Sequence, residues 1–216
     1  MNSDVTTKIY NYFSTFPVRS YPKGQILIFA DSDPEYIFYI ISGKVRKYDV
    51  SYRGDEVVIN IFGKQAFFPM SWAVNRKTDP YFYKTEEETV VHIVPVDIAL
   101  TFVQEHPDVM FDLLGRVYRG MDGVLAKMAH LMSGSAKSRV LNELITECRR
   151  FGVLQPDTSF ALNINEGDIA ARSGLSRETV SREMQKMKDK SWVKLTGKKI
   201  LVCDIGALEQ AIGKEL

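Results

Sequence analysis

Through residues 21–96 the apolar positions come in short runs separated by turn chemistry. Residues 25–29 give way to Asp31-Ser32-Asp33-Pro34, 36–41 to Ser42-Gly43, 45–50 to Arg53-Gly54-Asp55, and 57–62 to Gly63-Lys64; runs at 81–83 and 89–94 complete the set. The runs are rich in β-branched and aromatic residues. Turn signals about every 8–12 residues predict an all-β sandwich or barrel in place of βαβ units. Ahead of it, Val5, Ile9 and Tyr12 share one face of a short helix within residues 1–16.

After Pro95 the period becomes helical. Residues 96–105 read as one short helix, stopped by His106-Pro107. Then Met110, Leu114, Val117, Met121, Val124, Met128 and Leu131 recur at alternating spacings of four and three. That is the a/d repeat of a two-stranded coiled-coil seam, and it predicts a symmetric dimer through this helix. Asp112, Arg116, Arg119, Asp122 and Lys127 suit an exposed flank, while Phe111, Leu113, Tyr118 and Leu125 could supply a second contact, to the helix's own β domain. Gly115, Gly120 and Gly123 each weaken a helix by ~1 kcal/mol relative to Ala, or permit close approach of two backbones. Ser133-Gly134-Ser135 reads as a hinge. Residues 136–150 form a further helix with Val140, Leu141, Leu144 and Ile145 inward, and 151–163 form a loop or small hairpin. The expected boundaries are 1–106 for the β domain, 107–134 for the long helix and hinge, and 135–216 for the C-terminal domain.

Composition adds exclusions. With 45% hydrophobic and 25% charged residues in 216, wholesale disorder is excluded. No apolar run approaches the ~18–20 residues of a membrane helix, and the first 16 residues lack a signal-peptide pattern, so no membrane association and a cytoplasmic location are expected. Cys148 and Cys203 cannot make a disulfide framework or a four-ligand metal site by themselves. The net charge of +1 hides a division. Residues 1–134 hold 14 basic against 16 acidic side chains, residues 135–199 hold 13 against 8, and residues 200–216 hold 1 against 3. A basic segment in a neutral chain is a candidate electrostatic footprint for nucleic acid, or else an ordinary solvated face.

The chemistry of residues 165–203 discriminates between those readings. Asn165 can cap a helix that runs to Ser173; Gly174 can end it, since a tight turn tolerates positive φ best without a side chain. Leu175 plugs the gap between helices, and Ser176 caps a second helix with Thr179, Val180, Met184 and Met187 on its inner face. Two helices so joined are a helix-turn-helix. Residues 193–202 read as a β-hairpin with a basic tip, Gly197-Lys198-Lys199. Arg177, Glu178, Ser181 and Arg182 lie along one exposed edge at the helix start. A helix N-terminus in a major groove brings N–H groups and positive dipole to phosphates. Arg can donate two hydrogen bonds to guanine, and Glu can accept from cytosine. Eight basic and three acidic residues between 177 and 199 supply phosphate contacts. A surface helix with a Glu178–Arg182 pair would account for those two residues, but not for the turn glycine, the plugging leucine and the wing together.

These residues carry a resemblance. Gly174-Leu175-Ser176-Arg177-Glu178-Thr179-Val180-Ser181-Arg182 is close to the signature of the cyclic-AMP receptor protein and fumarate–nitrate regulator family, and Tyr21-Pro22-Lys23-Gly24 and Tyr39-Ile40-Ile41-Ser42-Gly43-Lys44-Val45 also match. The likeness covers nearly all of residues 20–206. It implies an α+β chain: an N-terminal β-roll (double-stranded β-helix) sensor domain, a long dimerisation helix and a C-terminal winged helix-turn-helix. It implies a homodimeric, sequence-specific transcription regulator that binds a palindromic site on double-stranded DNA and recruits or blocks RNA polymerase. Arg177, Glu178 and Arg182 would read bases, with Ser181 beside them, and Ser176 and Thr179 would help with phosphate, joined by Lys198 and Lys199 of the wing.

The sensor signatures of that family are missing. Its cyclic-nucleotide binders carry Phe-Gly-Glu and a later Arg-Ser or Arg-Thr pair; here the first place continues Pro69-Met70, and the second falls near Asp79-Pro80. Pro69 lacks an amide donor and Asp79 would repel phosphate, although Arg76 and Lys77 lie close by. Cyclic AMP is therefore not expected as the effector. The cysteine cluster of the iron–sulfur branch is absent, and His92, His106 and His130 show no haem-ligand pattern. The segment is instead aromatic. Phe67, Phe68, Trp72, Tyr81 and Tyr83 are either β-roll core or, with Met121 and Leu125, the wall of a pocket for an uncharged or aromatic effector under the long helix; a regulator with no effector, or with haem, is the alternative. An enzyme of the metal-dependent β-barrel kind would need clustered His and carboxylate ligands, and three scattered histidines argue against it.

Overall fold

The computed structural model describes residues 3–52, 54–196 and 199–213. Arg53 of one expected turn, and Gly197 and Lys198 of the expected wing tip, lie outside the described residues. The chain divides into two contact units, one up to Arg119 and one from Gly120 onward.

The first unit begins with α1 (Ser3–Phe13). Eight strands follow: β1 (Val18–Tyr21), β2 (Ile26–Ile28), β3 (Tyr36–Ser42), β4 (Val45–Val50), β5 (Glu56–Phe62), β6 (Phe67–Phe68), then after α2 (Met70–Asn75) β7 (Phe82–Thr85) and β8 (Thr89–Pro95). Next come α3 (Val96–Glu105) and α4 (Pro107–Ser133), whose second half, from Gly120, belongs to the second unit. The strands make two antiparallel four-stranded sheets, in the orders β1-β8-β3-β6 and β2-β7-β4-β5. The strands β1 and β6 and the helix α2 were not legible in the apolar pattern; each is short, and β6 has only two residues.

Strand period explains the packing. Ile37 and Tyr39 of β3 leave one face, to pack with Val5, Ile9 and Phe13 of α1, Phe102 of α3 and Val109 of α4. Phe38 and Ile40 leave the other, to pack with Ile28, Val45, Tyr83, Val91 and Ile93. Successive side chains of a strand take opposite faces, so a strand covered on both sides reads as an unbroken apolar run. On α1 the third buried position is Phe13, four residues after Ile9, in place of the expected Tyr12, which stacks at the margin on Phe102 with centroids 3.8 Å apart.

On α4 only part of the expected second contact forms. Leu113 packs against the α1–α3 cluster, whereas Phe111, Tyr118 and Leu125 remain exposed. Two expected flank residues are half-buried instead: Arg116 Nε donates to Asp112 Oδ2 over 2.7 Å, and Arg116 Nη1 donates to the Gln65 carbonyl over 2.8 Å. The guanidinium thereby clasps the first turns of α4 to the strand layer.

The second unit holds α5 (Ala136–Phe151), β9 (Val153–Leu154), β10 (Phe160–Leu162), α6 (Glu166–Ser173), α7 (Arg177–Asp189), β11 (Val193–Thr196), β12 (Lys199–Val202) and α8 (Ile205–Gly213). Its strands form one antiparallel sheet, β11-β12-β10-β9, so residues 151–163 are the hairpin alternative. Val140, Leu141, Leu144 and Ile145 of α5, Ile169 of α6 and Val180, Met184 and Met187 of α7 share its core. The expected hinge is short and braced. Ser135 caps α5 by accepting from Ser138 N, Arg139 Nη2 donates to the Leu131 carbonyl over 2.8 Å, and Lys127 pairs with Glu143 at 3.2 Å. Burial raises the Glu143 carboxyl pKa, with Lys127 acting against it.

Candidate nucleic-acid interface

The two helices of the reading head are held by local chemistry that the sequence specifies. Asn165 Oδ1 accepts from the backbone N–H of Gly167 and Asp168, and Asp168 Oδ2 accepts from Asn165 N, so both halves of a capping box close at the start of α6. Gly174 ends α6 at φ +64°, the left-handed region that glycine enters without penalty. A Cβ there would meet nothing within 4 Å, so backbone conformation and not space selects the glycine. Leu175 follows, half-buried against the core. Ser176 then caps α7: its hydroxyl accepts from Thr179 N over 3.2 Å and lies 3.0 Å from Thr179 Oγ1. Asn165, Gly174, Leu175 and Ser176 thus take the places expected from sequence.

The α7 N-terminus leaves Ser176, Arg177, Glu178, Ser181 and Arg182 exposed and Thr179 half-buried. The Glu178 carboxyl is held below its ordinary range, first by its own backbone N–H, then by the Ser176 hydroxyl and the Arg177 charge. It is an acceptor at neutral pH. Two arginines, a carboxylate and a hydroxyl on one ridge at a positive helix terminus suit the edges and phosphates of a duplex. Lys199 opens β12, exposed; Lys198 lies outside the described residues.

The coiled-coil positions of α4 form a continuous stripe. Met110, Leu114, Val117, Met121, Val124, Met128 and Leu131 are between 39 and 56% exposed in the single chain.

The aromatic residues named for an effector pocket are not gathered around one space. Phe67 and Phe68 are neighbours on β6 and therefore leave opposite faces. Phe67 joins Trp72 in the cluster under the helices, and Phe68 joins Tyr83 between the sheets. Phe68 and Tyr83 stack at 5.3 Å with 6° between planes, and Phe62 stacks on Phe68 at 5.2 Å. Tyr81 is half-buried at the edge of that layer. Met121 and Leu125 are exposed on α4 and belong to the other contact unit. Strand alternation assigns Phe67 and Phe68 to different clusters.

Asp79 has a role its repulsive charge did not suggest. It is 6% exposed, and its Oδ2 accepts from Lys47 Nζ at 3.0 Å and Tyr83 Oη at 2.6 Å. Lys47 was missed, although it stands two residues from inward-facing Val45 on the same strand. The buried pair of Arg172 and Glu147 was missed as well, because nothing in a linear pattern marks two charges 25 residues apart as partners. His92 Nδ1 lies 2.9 Å from the Phe16 carbonyl and His106 Nδ1 2.8 Å from that of Phe102. His130 is buried in the last turn of α4. Among the described residues, no three His, Cys, Asp or Glu side chains meet as a metal site, and no helix is long and apolar enough to cross a membrane.

Known protein families resemble both parts of the chain. Residues 138–211 match the Crp-like helix-turn-helix domain, and residues 18–106 match the cyclic nucleotide-binding domain. The chain is 25% identical over 200 residues to the global nitrogen regulator of Synechocystis sp., covering 89% of this chain and 87% of that one. It is 25% identical over 190 residues to a CRP-like cAMP-activated global transcriptional regulator of Mycobacterium tuberculosis, covering 85% of this chain and 83% of the other. Among solved structures, the c-di-GMP responsive global regulator CLP of Xanthomonas campestris superposes with a TM-score of 0.77 at 15% identity, covering 94% of this chain and 100% of that chain. A mutant of CooA from Carboxydothermus hydrogenoformans superposes at 0.76 with 20% identity, covering 94 and 90%. The two sequence relatives are named as global regulators. A cyclic nucleotide-binding-type β domain, a long helix and a capped, glycine-turned reading head follow one another in this chain, which belongs to the cyclic-AMP receptor protein and fumarate–nitrate regulator family of DNA-binding transcription regulators.

Proposed function

We propose that the chain works as a homodimer, joined along the α4 stripe, that reads a palindromic duplex site and adjusts the access of RNA polymerase to a promoter. The observation that carries this reading is the exposed ridge of Arg177, Glu178, Ser181 and Arg182 at the capped start of α7. Arg177, Glu178 and Arg182 take the base edges, Ser181 stands beside them, Ser176 and Thr179 serve the phosphates at the helix terminus, and Lys198 and Lys199 meet phosphate from the wing. A twofold dimer would set two such helices into grooves about one helical turn apart, ~34 Å. Such a protein acts in the bacterial cytoplasm, where the DNA is.

On the sensor side the readings are control by a small ligand other than a cyclic nucleotide or, as the alternative, no effector or haem; Phe67 with Trp72 and Phe68 with Tyr83 pack in two separate clusters.

Selection of duplex DNA from a random pool, with sedimentation of the protein alone and with the selected site, tests the proposal. A dimer with a two-half-site consensus is expected. A monomer at micromolar concentration that enriches no sequence at low salt would overturn it.

A further inference from the structure

We propose that the Asp79 carboxylate is the resident anion of the β domain: a built-in group that plays the part of a bound anionic ligand and holds the domain in its working state. The inference rests on the reading of the chain as a DNA-binding regulator.

Lys47 supplies the need for an anion. Its side chain is 14% exposed, and its ammonium lies 4.3 Å from the centre of the Tyr81 ring and 5.4 Å from that of Tyr83. A cation inside a protein, faced only by ring surfaces, wants a counter-charge. The neighbouring cations of this sheet, Arg46 and Lys84, already share Glu56. Asp79 answers Lys47, and answers more than Lys47. Its Oδ2 also takes the Tyr83 phenol, while its main-chain carbonyl accepts from Asp31 N over 3.0 Å, fixing the turn after β2. Burial, then the Asp79 carboxylate, push the Tyr83 pKa far up, so the phenol stays a donor.

The cluster touches what a ligand would have to touch to be felt. The Ser71 hydroxyl, in the first turn of α2, acts on the Tyr83 phenol, lowering its pKa against the larger upward pushes. The next residue, Trp72, is buried with Val109, and Leu113 packs against that same cluster; both belong to α4. One carboxylate thus bears on β4, β7 and the β2 turn, and through Tyr83 and α2 it approaches the helix that opens the dimer stripe. An external anion would have to displace a tethered one, whose effective concentration is set by the chain itself.

The test uses the full-length protein, refolded from urea and dialysed to strip small molecules, with formate as the probe anion. Refolded wild type is expected to bind the selected DNA without any additive. Asp79→Ala leaves Lys47 without its partner and opens a space of carboxylate size; it is expected to lose DNA affinity about tenfold and to melt earlier, with formate but not equimolar chloride restoring both. Should Asp79→Ala not fold alone, recovery of folding in formate is the same readout. The double variant Lys47→Met/Asp79→Ala removes both charges and is expected to fold and to ignore formate. The inference is overturned if Asp79→Ala binds DNA like wild type, if formate changes neither property, if the double variant responds to formate as the single one does, or if refolded wild type binds only after a metabolite is added. Refolded wild type that binds no DNA under any condition would instead overturn the DNA-reading proposal.

Discussion

Arg172 donates from Nη1 to Oε2 of Glu147 over 2.7 Å, with both side chains almost wholly buried. The pair ties α6, the first helix of the reading head, to α5. Breaking a buried pair by removing one partner strands the other charge, which costs ~3–5 kcal/mol. Glu147→Gln and Arg172→Ala should each lower urea-unfolding stability by about that amount. A loss under 1 kcal/mol would mean that the pair is effectively solvated.

Arg182 stands on the exposed edge of α7 and carries no such structural duty. Arg182→Ala should leave the unfolding midpoint unchanged and weaken the selected site by ~1–3 kcal/mol, the value of a bidentate base contact. Non-specific binding should change much less. Lys199→Ala should weaken all sequences alike and reduce the salt slope by ~1. Equal losses on every sequence for Arg182→Ala would remove it from the base readers.

Met121 sits mid-stripe on α4 at 52% exposure. A charge there costs a single chain little and a helix pair a great deal. Met121→Glu should therefore turn a sedimenting dimer into a monomer with an unchanged circular dichroism spectrum. A dimer that persists would place the interface elsewhere.

Gly174 and Ser176 make the turn between the two helices. Gly174→Ala places a side chain at φ +64°, which should cost ~1–2 kcal/mol through the backbone alone. Ser176→Ala removes the acceptor for Thr179 N and should cost ~1 kcal/mol by thermal or urea melting. Both should weaken DNA binding by moving the ridge they position.

The Cys148 thiol is pushed up to about 12, first by burial and then by the Glu147 charge. In the unfolded chain the thiol ionises near ~8.5, so the unfolded state loses this proton first as pH rises. Stability from this group is intact below that value and declines steadily above it, toward 12. Native protein at pH 8 should alkylate at Cys203 and not at Cys148; urea should expose both. Equal native labelling would contradict the packing.

The reading head was legible in sequence because its determinants are local. Asn165, Gly174 and Ser176 act on backbone groups within four residues, so a one-dimensional pattern contains them. The long helix was legible for the same reason, since its apolar period repeats within the helix. The sensor half was legible in its longer strands alone. Adjacent aromatics looked like one group until strand geometry sent Phe67 and Phe68 apart, and Asp79 looked like a repulsive charge until Lys47 came to meet it from β4. What decides those residues is a neighbour supplied by distant chain, and composition holds no record of it.

Two adjacent phenylalanines on the two-residue strand β6 pack into separate compartments of the first unit. Deleting a single residue just before them would put Phe68 in the place of Phe67 and Pro69 in the place of Phe68, and inserting one would put Phe67 in the place of Phe68 and Ala66 in the place of Phe67, so either event leaves one compartment without its ring. Length changes in the preceding turn should consequently be far less tolerated than substitutions there, and a library that varies turn length and turn composition separately would show the asymmetry at once.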